Sequence, residues 1–130
     1  MDPGLQTVDP EKARAFLDRK RRNKAQAVGQ LYDQAVRDFE AIRGMIVDRY
    51  QPVRIYQWGS LLDRAKFRDY SDIDISVEGV NDPELFFKMF GEAEKMTTFS
   101  LDLLDHGKLA PEFAQIIQRK GVLVYERGIG

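Results

Sequence analysis

The sequence predicts an α/β (α+β) fold in which a long N-terminal helical region precedes a small β-sheet. Two observations support this prediction. Apolar residues recur every three or four positions along one stretch, as expected for one face of a helix: Val28, Leu31, Ala35, Phe39, Ile42 and Ile46. Four later runs rich in β-branched and aromatic residues are typical of strands: 55–58, 73–77, 97–104 and 122–125.

A proline stands at the expected start of each helix, in Asp9-Pro10, Asp82-Pro83 and Ala110-Pro111. Pro52 ends the first helix, because proline cannot continue it and biases the preceding residue towards extended structure. We therefore predict a helical extension over residues 1–50 and a core over residues 51–130. The first helix is expected at about 9–49, with the basic run near 19–25 as a candidate break.

Composition limits the classes of function. The 130 residues, 43% of them hydrophobic, suffice for one domain with an appendage. The net charge of −1 gives no general attraction to nucleic acid, so direct nucleic-acid binding is not expected, although residues 1–24 carry seven basic and four acidic side chains. That basic run fits either a nucleic-acid patch or a solvated partner surface.

The absence of cysteine excludes disulfides and thiolate metal sites. No apolar run is long enough for a signal peptide or a membrane span, so no membrane association and a cytoplasmic location are expected.

Two carboxylates stand two residues apart on the second predicted strand. Asp72 and Asp74 therefore point to one face, about 6–7 Å apart, while Ile73 and Ile75 face the core. Like charges on a buried strand repel each other and call for a cation, and hard oxygen ligands suit Mg²⁺. The alternative is that both acids form the polar face of a half-exposed strand.

A possible phosphate-binding turn precedes this strand. Gly59 and Ser60 follow the first strand and open a short helix, where free backbone N–H groups can hold phosphate. Arg64 and Lys66 lie between this turn and the carboxylates. They can neutralise a triphosphate, or they can simply be solvated loop residues.

The stretch RIYQWGSLLDRAKFRDYSDIDISV, residues 54–77, resembles the minimal nucleotidyltransferases of the DNA polymerase beta superfamily. Their signature is Gly-Ser, about a dozen residues, and then Asp-x-Asp. The resemblance runs from about Val53 to Tyr125 and implies a nucleotidyltransferase fold, with a small mixed sheet and helices on one side. Many members carry a glycine about four residues after the Ser, where this chain has Arg64 and Ala65.

The resemblance also implies an activity and its residues. The activity is transfer of a nucleoside monophosphate, AMP from ATP or another nucleoside triphosphate, to a hydroxyl group with two Mg²⁺ ions. Asp72, Asp74 and Asp102 would be the catalytic residues and metal ligands. Gly59, Ser60, Arg64 and Lys66 would bind the nucleotide. Asp105 competes with Asp102 for the third carboxylate position, but three residues further along a strand it points to the opposite face.

Small members of this family often pair with an all-helical HEPN-type protein in toxin-antitoxin systems, which makes such a partner the expected acceptor. One alternative is a catalytically silent binding module that neutralises a helical partner by occlusion. Another is a small-molecule nucleotidyltransferase of the aminoglycoside-modifying kind. The earliest turns of the helix, around Phe16 and Leu17, are expected to contact a second protomer or the acceptor, because a compact domain cannot cover the whole helix.

Overall fold

A computed structural model describes residues 9–128. Residues 1–8 of the expected extension lie outside the described residues. The described part forms three helices and four strands, named here in chain order: α1 (Pro10–Tyr50), β1 (Arg54–Trp58), β2 (Ile73–Glu78), α2 (Pro83–Glu94), β3 (Leu101–Asp105), α3 (Pro111–Lys120) and β4 (Val122–Glu126). Short 3-10 turns at Ser60–Leu62 and His106–Lys108 follow β1 and β3. The protein is therefore a mixed α/β structure with a long N-terminal helix.

The four strands form one mixed sheet in the order β3-β2-β1-β4. Strand β1 pairs antiparallel with β2 and with β4, whereas β2 pairs parallel with β3. A parallel pair needs a crossover connection, and α2 supplies it between β2 and β3. This crossover brings two segments distant in sequence side by side.

Helix α1 is continuous over 41 residues. The Asp9 carboxylate accepts a hydrogen bond from the Glu11 N–H at 2.9 Å, and the helix ends at Gln51, which adopts a left-handed conformation. The candidate break near 19–25 does not form, because that run contains no proline and consists mostly of good helix formers. Across residues 9–128, no helix combines the length and the apolar character needed to cross a membrane.

Only the C-terminal half of α1 belongs to the core. Its buried residues are Ala35, Phe39, Ile42 and Ile46, and they pack with strand residues such as Ile55, Ile75 and Val77. Val28 packs partly against this core, whereas Leu31 is 37% exposed. Phe16 and Leu17 are 58% and 48% exposed. Apolar burial thus holds one half of the helix on the sheet and leaves the other half to solvent.

The expectation that the helices lie on one side of the sheet is wrong for α3. Ile75 and Ser76 point to opposite faces and are both fully buried, so both faces are covered at the centre of the sheet. Helices α1 and α2 pack on the face of Ile75. On the other face, Phe113 of α3 contacts Trp58 with ring centroids 5.9 Å apart. An apolar patch on that face needs a cover, which α3 provides.

Candidate functional site

Strand register places the predicted third carboxylate beside the second. Asp74 in β2 is the Cα partner of Asp102 in the parallel strand β3. On its other side, Asp74 is the partner of Trp58 at the end of β1. Residues paired across strands point to the same face, so the Asp74 and Asp102 side chains share one face of the sheet. The crossover through α2 therefore brings together acids that are 28 residues apart in sequence.

The glycine of the predicted phosphate turn lies directly against Asp74. Gly59 has φ 84° and ψ −165°, a backbone conformation that is essentially restricted to glycine. A Cβ atom at this position would lie 2.0 Å from the Asp74 Oδ2 atom. Ser60 follows as the first residue of the 3-10 turn. The structure therefore brings Gly59 to Asp74 through close backbone approach, and Ser60 is the next residue of the turn.

Burial and charge repulsion perturb two of the three carboxylates, Asp74 and Asp102. Asp74 is only 8% exposed. Burial, then the charges of Asp102 and Asp72, raises the pKa of Asp74 from 3.8 to about 7. Burial, then the charge of Asp72, raises the pKa of Asp102 as well. Asp72 is exposed and lies just before β2. Asp72 and Asp102 are thus close enough to Asp74 to disfavour its ionisation, and Asp72 is close enough to Asp102 to do the same there.

No Lys or Arg side chain of residues 9–128 pairs with these carboxylates. Within the part of the chain that the structure describes, no hydrogen bond or ion pair engages the side chains of Asp72, Asp74 or Asp102. In residues 9–128, no three or more His, Cys, Asp or Glu side chains already stand in an arrangement that could hold a metal ion. The chemistry of the donor set nevertheless fits a divalent cation, since carboxylate oxygens are the ligands that Mg²⁺ prefers and a cation would relieve the repulsion.

Arg64 does not lie with the carboxylates. Its Nη1 donates to Asp33 Oδ1 of α1 at 2.7 Å, and its Cζ stands 5.0 Å from the centroid of the Tyr32 ring. In the structure α1 offers this side chain an acid and an aromatic face, and the phosphate contact expected of Arg64 stays a prediction. Lys66 is exposed in the same loop.

Asp105 lies on the opposite face from Asp102, as its strand position predicts. It is the Cα partner of Val77 and forms an ion pair with Lys108 at 3.8 Å. The next residue, His106, is buried in a polar cluster on the α3 side of the sheet. Its Nδ1 lies 2.8 Å from Ser76 Oγ, and its Nε2 lies 3.1 Å from Gln118 Nε2. This arrangement satisfies both ring nitrogens and ties α3 to β2.

Trp58 is a neighbour of the site that the sequence analysis did not single out. It is the Cα partner of Asp74, and its indole Nε1–H is buried with no hydrogen-bond partner among the described residues. Unpaired buried donors are uncommon and costly. Strand alternation could have revealed this position, since Trp58 directly precedes Gly59 and shares a face with Tyr56.

Comparison of the sequence with protein-family models finds no match, and comparison with curated proteins finds none either.

Proposed function

We propose that this protein is a Mg²⁺-dependent nucleotidyltransferase of the kind its Gly-Ser and Asp-x-Asp segments resemble, transferring AMP from ATP to a hydroxyl group. One observation carries the proposal: the strand register sets Asp102 beside Asp74, and Gly59 packs against the same Asp74 carboxylate. Three separate segments thus converge on one face. A purely structural polar strand face would not require a glycine in a restricted conformation over its most buried acid.

In the proposed reaction the acceptor hydroxyl attacks the α-phosphorus of ATP. The new bond joins the acceptor oxygen to that phosphorus, the bond to the bridging oxygen breaks, and pyrophosphate leaves with its electron pair. Asp72, Asp74 and Asp102 would hold the metal ions, which supply charge stabilisation to the attacking and leaving oxygens. Asp102 lies at the outer strand β3 and would accept the proton of the hydroxyl. The backbone N–H of Gly59 and the Ser60 hydroxyl would hold the terminal phosphates.

A partner protein is the acceptor that the architecture favours. In the described residues the sheet carries three helices and no second domain that could bind a complex acceptor. The exposed half of α1, with Phe16 and Leu17, offers a surface on which a helical partner of HEPN type, or a second copy of this chain, can dock.

A second candidate function is a binding module that occludes its partner without turnover. The observation favouring it is the exposure of Phe16 and Leu17 on α1, a surface that would bind a partner with or without catalysis. A transfer assay separates the two functions, because occlusion requires neither Mg²⁺ nor the carboxylates.

Asp102→Asn is expected to lower the single-turnover rate of transfer by about 10²-fold or more. The dissociation constant of ATP should change less than about threefold, because Asp102 is proposed to act on the attacking hydroxyl. The assay follows label from the α-phosphate of ATP to the partner protein in the presence of Mg²⁺. Asp105→Asn is the matched control, because it removes the same charge from the same strand on the opposite face. If Asp105→Asn is damaging and Asp102→Asn is silent, the assignment of the third carboxylate is wrong.

Deleting residues 1–24 is expected to leave the melting temperature nearly unchanged, because the first buried residue of α1 is Ala35. The same deletion should weaken self-association or partner binding in sedimentation velocity experiments, through loss of Phe16 and Leu17. A truncated protein that unfolds would show that the exposed half of α1 belongs to the core.

A further inference from the structure

A groove with basic walls runs between α1 and the loop that joins β1 to β2. We call it the basic groove. Its walls carry four cations from two segments about forty residues apart: Arg21, Lys24, Arg64 and Arg68. None of Gly59, Ser60 and the three site carboxylates lines it, so it is separate from the candidate active site.

Much of the positive charge of the basic groove has no anionic partner in residues 9–128. No carboxylate lines the groove, and neither Lys24 nor Arg68 forms an ion pair. Arg21 approaches Asp18 only at 4.0 Å, between two exposed side chains. The Nη1 of Arg68 donates to the backbone carbonyls of Ala65 and Phe67 at 2.8 and 2.9 Å, which fixes the guanidinium and leaves its other N–H groups for a ligand. Uncompensated, positioned cations favour an anion.

The floor of the groove is apolar and aromatic. Val28, Tyr32 and Phe67 line it, and the rings of Tyr32 and Phe67 meet edge to face with centroids 5.5 Å apart. The groove has a volume of about 360 Å³, at the lower end of the roughly 300–1,000 Å³ typical of small-molecule sites. Cations above an aromatic floor suit a ligand that combines phosphate with a flat ring.

We propose that the basic groove binds a nucleoside phosphate, with the phosphate on Lys24 and Arg68 and the base against Val28 and Tyr32. The ligand is either a free nucleotide or one nucleotide of a single-stranded RNA, because both present the same chemistry. This binding needs no divalent cation and goes beyond the transfer activity proposed above. It also assigns a ligand to the basic run of α1, whose role the sequence alone left open.

The test measures the binding of fluorescent AMP by anisotropy in EDTA. It compares the wild-type full chain with two variants that each add one negative charge. Ala25→Glu places a carboxylate in the groove, whereas Ala27→Glu makes the same change at an exposed position of the same helix that does not line it. Ala25→Glu is expected to weaken binding about tenfold by repelling the phosphate, and Ala27→Glu less than about twofold. Asp74→Asn should leave the dissociation constant unchanged, so failure of this proposal and failure of the transfer proposal are distinguishable.

Competition identifies the source of the ligand. If unlabelled AMP displaces the probe as well as a short adenylate oligonucleotide does, the ligand is a free nucleotide. Tighter binding of the oligonucleotide, with a steep salt dependence, assigns the groove to a nucleotide of a strand. Three results overturn the proposal: no binding of either probe at millimolar concentration, equal losses in Ala25→Glu and Ala27→Glu, or equal competition by inorganic pyrophosphate, which lacks the base.

Discussion

Asp74→Asn is expected to lower the rate of nucleotide transfer by about 10³-fold or more, because Asp74 lies between the other two proposed metal ligands and against the Gly59 turn. Single-turnover measurements with ATP labelled at the α-phosphate, at saturating Mg²⁺, would quantify the loss. Asp105→Asn again serves as the control, since it removes a strand carboxylate that points away from the site. An Asp74→Asn variant with undiminished transfer contradicts the proposed function.

The same substitution is expected to stabilise the metal-free protein at pH 8. Folding raises the pKa of Asp74 from 3.8 to about 7, so between these values the folded state binds more protons than the unfolded state. The free energy of unfolding of the wild type therefore falls as the pH rises from about 4 to about 7 and stays low above. Because Asn cannot ionise, the free energy of unfolding of the variant does not fall in this way.

Urea denaturation in EDTA at two pH values would measure the effect. The variant should gain about 1–3 kcal/mol on the wild type between pH 5 and pH 8, and the two should match only below about pH 4, where the carboxyl is protonated in both the folded and the unfolded wild type. Mg²⁺ should then stabilise the wild type at pH 8 and the variant much less, because a ligand stabilises only the state that binds it. A variant less stable than the wild type at pH 8 would indicate that the Asp74 charge is compensated.

Gly59→Ala is expected to lower the free energy of unfolding by about 2–4 kcal/mol, because it combines a strained backbone with a steric conflict. The residue sits at φ 84°, and the added Cβ would stand 2.0 Å from Asp74 Oδ2 and 3.2 Å from the Asp74 Cβ. Either the turn or the carboxylate must shift, so transfer should also be lost. Thermal and urea unfolding measure the first effect, and the transfer assay measures the second.

Gly44→Ala provides the control for this substitution. Gly44 lies on an exposed position of α1, and a Cβ there meets nothing within 4 Å. Because alanine is the better helix former, this change should stabilise the protein by about 0.5–1 kcal/mol. If both alanine variants unfold at the same urea concentration as the wild type, the close approach of Gly59 to Asp74 does not exist in solution.

Local chemistry made much of the fold predictable. Asp9-Pro10 and Asp82-Pro83 each combine a capping acid with a proline whose missing N–H costs nothing at that position, and both begin helices in the structure. The third carboxylate was expected at Asp102 from the resemblance, and strand alternation separated it from Asp105, which lies three residues further along β3 on the other face. These are short-range rules, and they hold when the sheet imposes no conflict.

Interactions between distant segments were not predictable. The loop position of Arg64 fits phosphate binding in the linear sequence, but Asp33, 31 residues earlier, pairs with it in the structure. The position of α3 on the far face depends on Trp58 meeting Phe113, a contact between residues that no periodic pattern connects. The basic groove escaped sequence reasoning for the same reason, since its cations come from two elements that are joined only by tertiary packing.

The continuity of α1 makes it a rigid arm. At about 1.5 Å per residue the 41-residue helix is about 60 Å long, and Phe16 stands about 28 Å from Ala35, where burial begins. A partner protein bound at the tip of this arm would be held at one distance and one orientation relative to the sheet. Those of its groups that lie next to the carboxylates would then have a raised effective concentration there. Only groups within reach of that fixed geometry gain this advantage. If the proposed transfer takes place on such a partner, the length of the arm would determine which of its hydroxyl groups can reach the carboxylates.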